Sequence, residues 1–218
     1  VGTQLKNFAG NAIGAIFTLF NGIFNLILVL ILTFFMVVSK KNTSDFFHSL
    51  FPNRYSGYIS EKTKEVSIRI GDWIRGQVLL ALSMSVLTFV VFSIIGLNYA
   101  LTLAMVSALA EFIPYLGPLI TFFSAALIAL NQDPIILLWL FPAYGLIQFL
   151  EGNIMVPLIV GKSVGLNPIV VLFALLSGAT LGFEIGGSVA LGLVGMIVSV
   201  PVANIISIFV EEYTERNK

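Results

Sequence analysis

The chain has 218 residues, of which 58% are hydrophobic and only 10% are charged, whereas a soluble globular domain has about 25% charged residues. Its formal net charge is +0, and it contains one histidine and no cysteine, so the composition excludes a basic nucleic-acid-binding protein, a disulfide framework and a site built on thiolates or paired histidines. With a mean hydropathy of +1.01, the sequence predicts an all-α polytopic protein of the lipid bilayer.

The first predicted elements are a membrane span over residues 11–38 and a polar segment over residues 39–76. The span exceeds the roughly 20 residues that a helix needs to cross a bilayer. The polar segment holds seven of the eleven basic residues, which predicts a cytoplasmic location. Apolar residues at helical spacing predict an amphipathic helix there, acting either as a connector on the membrane surface or as a regulatory element. These residues are Tyr55, Ile59, Val66, Ile70 and Trp73.

Residues 78–95 form a second predicted span, and residues 98–130 form an interrupted hydrophobic segment. At its centre, residues 111–118 read Glu-Phe-Ile-Pro-Tyr-Leu-Gly-Pro. A charge at the bilayer centre costs roughly 2.5–3.5 kcal/mol, and the backbone groups that proline frees must be buried in protein or line a wet cavity. The two legs on either side of this motif, residues 98–110 and 119–130, are each roughly 20 Å long and therefore shorter than the hydrocarbon core of roughly 30 Å. They predict a re-entrant hairpin, with a proline-kinked structural helix as the alternative.

The next predicted span covers residues 134–160 and carries prolines and polar side chains. The interrupting residues are Pro142, Gln148, Glu151, Asn153 and Pro157. The sequence leaves two placements of Glu151 open, and in the first it faces the same cavity as Glu111, so that two carboxylates share one site. The alternative is that Glu151 lies near the membrane edge, where it is solvated or paired with Lys162.

Residues 167–210 form the second interrupted region, predicted to be another broken hairpin, followed by a polar cytoplasmic tail over residues 211–218. Glycines spaced four apart form a ridge of small residues that favours close helix packing. The predicted structural breaks in this part of the chain are Pro157, Gly178, Gly182, Gly186 and Pro201. Two interrupted hydrophobic regions in one chain are typical of secondary transporters with a binding site near the membrane midplane.

Three motifs, in this order and spacing, resemble the autoinducer-2 exporter family, also described as PerM-type permeases. They are Asp-Trp-Ile-Arg-Gly-Gln at residues 72–77, the motif at residues 111–118, and Gln-Phe-Leu-Glu-Gly-Asn at residues 148–153 together with residues 157–168. The resemblance covers essentially the whole chain. It implies a homo-oligomeric inner-membrane transporter, which in some members exports autoinducer-2 and in others exchanges sodium or lithium for protons.

The chain departs from the family pattern in two places. The family has two further N-terminal spans, and their absence from a sequence that begins with Val1 predicts a truncated chain. The segment 181–191 is about ten residues longer than the glycine turn usual in the family, and it introduces Glu184. No family role carries over to Glu184.

These observations predict a secondary transporter rather than an enzyme, with no cofactor and no metal site. Glu111 is the predicted coupling carboxylate, and the exposed backbone carbonyls around Pro114 to Gly117 are the predicted ligands for a small hydrophilic solute or a monovalent cation. The predicted transport residues are Glu111, Pro114, Tyr115, Gly117, Pro118, Gln148, Glu151 and Asn153. The alternative function is a non-transporting membrane scaffold or a passive oligomeric pore.

Overall fold

The computed structural model describes residues 31, 33–34, 38, 52–160 and 166–216. The chain divides into two units, residues 1–63 and residues 64–218, and the second unit contains every site discussed below. Residues 31, 33, 34 and 38 are helical. The rest of the predicted first span, most of the polar segment before residue 52, and Lys162 lie outside the described residues.

The described part of the chain is helical and contains no strand. A 3₁₀ turn at Asn53–Tyr55 precedes the first long helix. The α-helices are α1 (Ser56–Ile94), α2 (Ala100–Ala110), α3 (Leu116–Gln132), α4 (Pro134–Leu150), α5 (Pro168–Gly186) and α6 (Val189–Arg216), and α4 continues as a π-helix over Glu151–Val160. Four helical stretches are long and apolar enough to cross a membrane: α1, α4 with its extension to Ile159, α5 and α6. The prediction of an all-helical, multi-pass membrane protein is confirmed.

The prediction of an amphipathic segment that ends at Gly76 and a separate span that follows it is wrong, because α1 covers both. It runs as one helix of 39 residues, about 58 Å long at 1.5 Å per residue. No proline and no turn signal occurs between the polar first half and the apolar second half, so nothing ends the helix there. The predicted amphipathic helix is therefore continuous, from residue 56 onward, with the span that follows it. A separate surface helix over residues 56–76 is not found.

Helices α2 and α3 are shorter, with 11 and 17 residues. The turn before α2 is held by the side chain of Gln132 at the end of α3. Gln132 accepts a hydrogen bond from the Asn98 backbone N–H at 2.7 Å and donates one to the Gly96 carbonyl at 2.8 Å. Gly96 has a φ of 72°, a conformation in which glycine carries no steric penalty. The ends of the α2–α3 pair are thus tied together through one amide.

Helices α4 and α5 begin with the same local chemistry. A side-chain oxygen of Asp133 accepts from the Ile135 backbone N–H at 2.8 Å, and that of Asn167 accepts from Ile169 at 2.9 Å. In both cases a proline occupies the first helical position, where its missing N–H leaves no intrahelical bond unmade. The sequences Asp-Pro and Asn-Pro therefore fix where these two helices start.

Helices α5 and α6 form a closely packed hairpin around glycine. A methyl group added at Gly178 would collide with the carbonyl of Gly195, and one added at Gly195 would collide with the carbonyl of Gly178. Gly182 lies in the same way against the Leu191 backbone. The small-residue ridge thus does what its spacing predicts, which is to let two helix backbones approach.

Of the structural breaks predicted in this region, Gly178, Gly182 and Pro201 lie inside continuous helices, whereas Gly186 is the last residue of α5 and lies beside the turn. Helix α5 continues through Gly178 and Gly182 to Gly186, and α6 continues through Pro201. Packing against a neighbouring helix compensates for glycine and proline inside apolar helices. The turn lies at Gly187 and Ser188, within the segment predicted to be lengthened, and Gly187 has a φ of 61°. Two full-length helices therefore replace the predicted broken hairpin.

The predicted polar tail is also helical, because α6 extends to Arg216. Near its end, Glu211 accepts two hydrogen bonds from the Arg69 guanidinium of α1, at 3.1 and 3.3 Å. Arg69 also donates to the Ser207 hydroxyl at 3.2 Å and lies 3.8 Å from Glu65. This cluster joins the polar half of α1 to the C-terminal end of α6.

Two apolar clusters form the core of the unit. The first joins α1 to α2, α3 and α4, and its fully buried members include Phe92, Leu140 and Ile147. The second joins α1 to the α5–α6 hairpin through Trp73, Ile113, Val171, Leu175 and Val200. Helix α1 contributes to both clusters, and its residues Trp73, Gln77 and Leu80 line a cavity that is described below.

Candidate functional site

The chain leaves the helical conformation between α2 and α3, at residues 111–115. Tyr115 has a φ of 65° and a ψ of −37°, and the Leu116 N–H donates to the Pro114 carbonyl at 2.8 Å. A hydrogen bond between residues i and i+2 with positive φ between them is the rare, strained form of the γ-turn. Such a conformation at a non-glycine residue costs about 1–3 kcal/mol. The motif therefore forms a real break, and the alternative of a continuous kinked helix is wrong.

The sequence of the motif explains this break. Pro114 has no N–H to continue α2, and a residue before proline disfavours the helical conformation. Pro118 lies in the first turn of α3, where proline is tolerated. Gly117 is buried against α2, and a methyl group there would collide with the Ala110 carbonyl. Glycine thus permits the two short helices to meet around the break.

Side chains from the neighbouring helices bond to the backbone on both sides of the break. Gln77 of α1 donates from Nε2 to the Glu111 carbonyl at 2.5 Å. Tyr144 of α4 donates its hydroxyl to the Pro118 carbonyl at 2.7 Å. Polar backbone groups that leave a membrane helix need such partners. Neither residue was predicted as part of the site, although Gln77 ends one of the three family motifs and is an amide beside an apolar run.

The side chain of Glu111 is buried, with 7% of its surface exposed, and lines a cavity of about 570 Å³. Its carboxylate makes no hydrogen bond or ion pair with any residue in the described ranges. The polar or aromatic residues around this cavity are Trp73, Gln77, Glu111, Tyr115, Gln148 and Glu151. Apolar side chains from α1, α3, α5, α6 and the π-helix complete its wall. We call this space the Glu111 cavity.

Glu151 lies at the junction where α4 becomes the π-helix, and it lines the Glu111 cavity. Gln148, one turn earlier, donates from Nε2 to a Glu151 carboxylate oxygen at 2.8 Å. π-Helical turns are rare and frequent at functional sites. Pro157 lies within the π-helix without ending it, so it is not the predicted break. The structure therefore brings both carboxylates to one cavity, which is one of the two placements that the sequence leaves open.

Most of the predicted transport residues line this cavity, and two do not. The lining residues are Glu111, Pro114, Tyr115, Pro118, Gln148 and Glu151. Gly117 packs against Ala110 instead. Asn153 is exposed and donates to the Phe149 carbonyl of the preceding turn at 2.9 Å.

The backbone carbonyls expected to act as ligands are largely engaged within the protein. The Ile113 carbonyl accepts from the Gly117 N–H at 2.9 Å, and the Pro114 carbonyl accepts within the γ-turn. The Gly117 carbonyl accepts from the Thr121 hydroxyl at 3.1 Å. The polar contribution of the break to the cavity therefore comes chiefly from the Glu111 side chain. Among the described residues, no group of three or more His, Cys, Asp or Glu side chains is arranged to hold a metal ion.

Comparison with known proteins identifies the family. A family model described as "AI-2E family transporter" matches residues 1–215. The chain belongs to the AI-2E transporter family. The resemblance inferred from the three motifs is thereby confirmed, and it places the chain among multi-pass membrane transport proteins. The interrupted segment and the cavity that it borders therefore belong to a member of this transporter family.

Several curated relatives are similar to this AI-2E family member. "Putative transport protein YrrI" of Bacillus subtilis is 34% identical over 177 residues, which cover 81% of this chain and 48% of YrrI. "Putative transport protein YueF" of the same species is 27% identical over 209 residues, covering 94% of this chain and 54% of YueF. "Putative permease PerM" of Escherichia coli K12 is 28% identical over 193 residues, covering 87% and 52%. The chain spans about half the length of the curated relatives it matches. No solved structure matches it.

Proposed function

We propose that this chain forms the solute-binding and coupling part of a secondary transporter, and that the Glu111 cavity is where the solute binds. One observation carries the proposal. A buried carboxylate without a protein partner in the described ranges lines a cavity beside a helix break, and a second carboxylate lines the same cavity. Ionisable side chains inside membrane proteins are expensive and mark ion or substrate pathways. Interrupted helices at such sites are a recurring feature of secondary transporters.

In this proposal Glu111 is the coupling residue. Its carboxylate holds either a proton or the transported species, so that binding of one releases the other. Oxygen atoms bind both hydroxylated solutes and hard cations. The two candidate activities are therefore export of a small hydrophilic solute such as autoinducer-2, and exchange of a monovalent cation for protons. Glu151 and its partner Gln148 form another part of the same site.

The contact between Arg69 and Glu211 supports the predicted orientation. It joins the basic half of α1 to the end of α6, so both belong on the same side of the membrane. The positive-inside rule assigns the basic half of α1 to the cytoplasm. We therefore propose an inner-membrane protein with a cytoplasmic C-terminus. Homo-oligomeric assembly is part of the proposal on the basis of family resemblance alone.

The test uses the full natural chain in proteoliposomes that contain a pH-sensitive dye. Sodium, lithium, potassium and then autoinducer-2-like diols are added to the wild type and to Glu111→Gln. We expect a proton movement triggered by one of these additions in the wild type and lost in the variant. Glutamine keeps the size of the side chain and removes its charge, so circular dichroism and thermal unfolding should show that the variant is folded.

The alternative functions give different results in the same vesicles. A scaffold moves no solute, and a passive pore moves solute only down its gradient and without proton movement. Normal coupled flux in Glu111→Gln would remove Glu111 from the mechanism. Labelled solute flux without proton movement would replace the coupled transporter by the pore. For Glu151→Gln we expect a partial loss of flux.

A further inference from the structure

The Glu111 cavity offers hydrogen-bond acceptors in excess of donors. Gln77 directs its NH₂ group to the Glu111 carbonyl at 2.5 Å, and Gln148 directs its NH₂ group to Glu151 at 2.8 Å. The Oε1 atoms of both amides have no hydrogen-bond partner among the residues that the structure describes. Gln77 is buried, with 5% of its surface exposed. Each glutamine thus donates a hydrogen bond to the protein, and its side-chain oxygen remains able to accept one from a ligand in the cavity.

The charged side chains that line the cavity in the described ranges are both carboxylates, Glu111 and Glu151. A buried carboxylate without a partner is unfavourable unless a cation or a proton neutralises it. Glu111 is such a carboxylate, and together with the partly buried Glu151 at the same cavity it favours a ligand that is positively charged and rich in donors. The same arrangement disfavours a carboxylate or phosphate ligand, since like charges repel at such a site.

The remaining wall of the cavity is apolar and aromatic. Leu80 of α1, Val171 of α5 and Val200 of α6 contribute to it, together with the rings of Trp73 and Tyr115. Its volume of about 570 Å³ falls within the roughly 300–1,000 Å³ of pockets that bind small molecules through an apolar surface and a few polar groups. A cation with an apolar body uses both parts of this wall, and aromatic faces attract organic cations.

We propose that the Glu111 cavity binds a small organic cation that carries a primary ammonium group. The three N–H groups of the ammonium donate to the carboxylates of Glu111 and Glu151 and to one of the amide oxygens of Gln77 and Gln148, while its hydrocarbon part packs against Trp73 and the aliphatic wall. The substrate class rests on the proposed function in that it takes this cavity as the solute site. The binding itself does not require that transport be coupled.

The test measures binding to the full natural chain in lipid nanodiscs by isothermal titration calorimetry, with empty nanodiscs as the control for partition into lipid. The four ligands share one ring: benzylammonium, benzyltrimethylammonium, benzyl alcohol and benzoate. We expect benzylammonium to bind at least about tenfold more tightly than each of the others, because only it combines charge with three N–H donors. Equal or tighter binding of benzoate or benzyl alcohol would overturn the proposal.

Variants locate the binding site. Glu111→Gln should weaken benzylammonium binding by at least about tenfold, whereas Glu184→Gln, on an exposed position of α5, should leave it unchanged. Unchanged binding in a folded Glu111→Gln protein would refute the proposed site. The ligand series on the wild type decides the ligand class even where a variant fails to fold.

The two proposals fail separately. Benzylammonium binding without any coupled flux in vesicles would retain the ligand class and reject the coupled transporter. Sodium- or diol-driven proton movement that requires Glu111, together with no benzylammonium binding, would retain the transporter and reject the ligand class.

Discussion

The α2–α3 pair and the α5–α6 pair both bring two helices together through glycine, but they differ in the length of non-helical backbone between the helices. In the first pair five residues leave the helix, and Gly117 lets α3 start against the end of α2. In the second pair the helices are continuous on both sides of a short turn, and Gly178 and Gly195 serve only their close approach. The first pair therefore creates polar backbone groups that need partners, and the second does not.

The two pairs also differ in the exposure of the carboxylate that each contains. Glu111 lies at the break, where Gln77 and Tyr144 fix the backbone on either side, and its side chain is buried. Glu184 lies inside a regular helix and is exposed. A carboxylate in a hydrophobic stretch thus becomes part of a cavity where the backbone is interrupted and held by neighbouring helices. Within an unbroken helix it remains on the outer surface.

The largest expected effect contrasts these two carboxylates in transport. Glu111→Gln should reduce coupled flux by about 100-fold or more, which corresponds to at least about 2.7 kcal/mol of lost transition-state stabilisation. Glu184→Gln should leave flux within about twofold of the wild type, because this residue does not line the Glu111 cavity. Initial rates in matched proteoliposomes give the comparison. Similar losses in both variants would contradict the distinction between the pairs.

The second effect concerns the stability of the α5–α6 hairpin. Gly178→Ala places a methyl group against the Gly195 carbonyl, and we expect the free energy of unfolding to fall by about 1–3 kcal/mol, as for other overpacked sites. Gly192→Ala is the matched control, since its nearest contact would be an ordinary 3.4 Å. Unfolding in mixed micelles, followed by circular dichroism, measures both. A loss in the control as large as in Gly178→Ala would mean that backbone approach is not the cause.

A smaller effect tests the support of the break. Tyr144→Phe removes the hydroxyl that donates to the Pro118 carbonyl at 2.7 Å. We expect a loss of about 0.6 kcal/mol in the free energy of unfolding, the average for hydrogen bonds between membrane helices, and at most about 1.7 kcal/mol. Tyr99→Phe serves as the control, because Tyr99 is 71% exposed. An unchanged stability in both variants would show that the Pro118 carbonyl finds another donor.

The smallest effect is expected at the contact between α1 and α6. Arg69→Lys removes the two-pronged contact with Glu211 and leaves a single charge. The Glu211 side chain is 56% exposed, so we expect only about 0.2–1 kcal/mol, decreasing with added salt. A double-mutant cycle with Glu211→Gln isolates the pair. A coupling above this range would show that the pair is more shielded from solvent than its exposure indicates.

The sequence predicted the break because its causes are local. Pro114 removes a donor and Gly117 permits close contact, and both effects act within one turn of the chain. The start of α3 was predicted three residues late, since Pro118 was read as a further interruption although the first turn of a helix accepts proline. The position of Glu151 at the same cavity as Glu111 is one of the two alternatives that the sequence leaves open, and helical spacing alone does not choose between them.

The features that the sequence did not predict depend on contacts between distant residues. Gln77 lies 34 residues from Glu111, and Tyr144 lies 26 residues from Pro118, so no local pattern pairs them. The sequence predicts breaks at Pro201 and Gly182, but both helices continue through these residues, and Gly182 packs against the Leu191 backbone of the hairpin partner. The sequence does not predict that the polar and apolar halves of α1 form one helix, because the change in composition between them resembles the end of a helix.

The two hydrogen bonds of the Gln132 side chain limit how the turn before α2 can vary among related proteins. Both of its hydrogen bonds go to backbone atoms, the Gly96 carbonyl and the Asn98 N–H. Side chains in the turn can therefore be exchanged without loss of either bond, provided that the backbone at Gly96 keeps its positive φ. Insertion or deletion of one residue there would shift both atoms out of reach together. Divergence of this turn should consequently proceed by substitution at constant length.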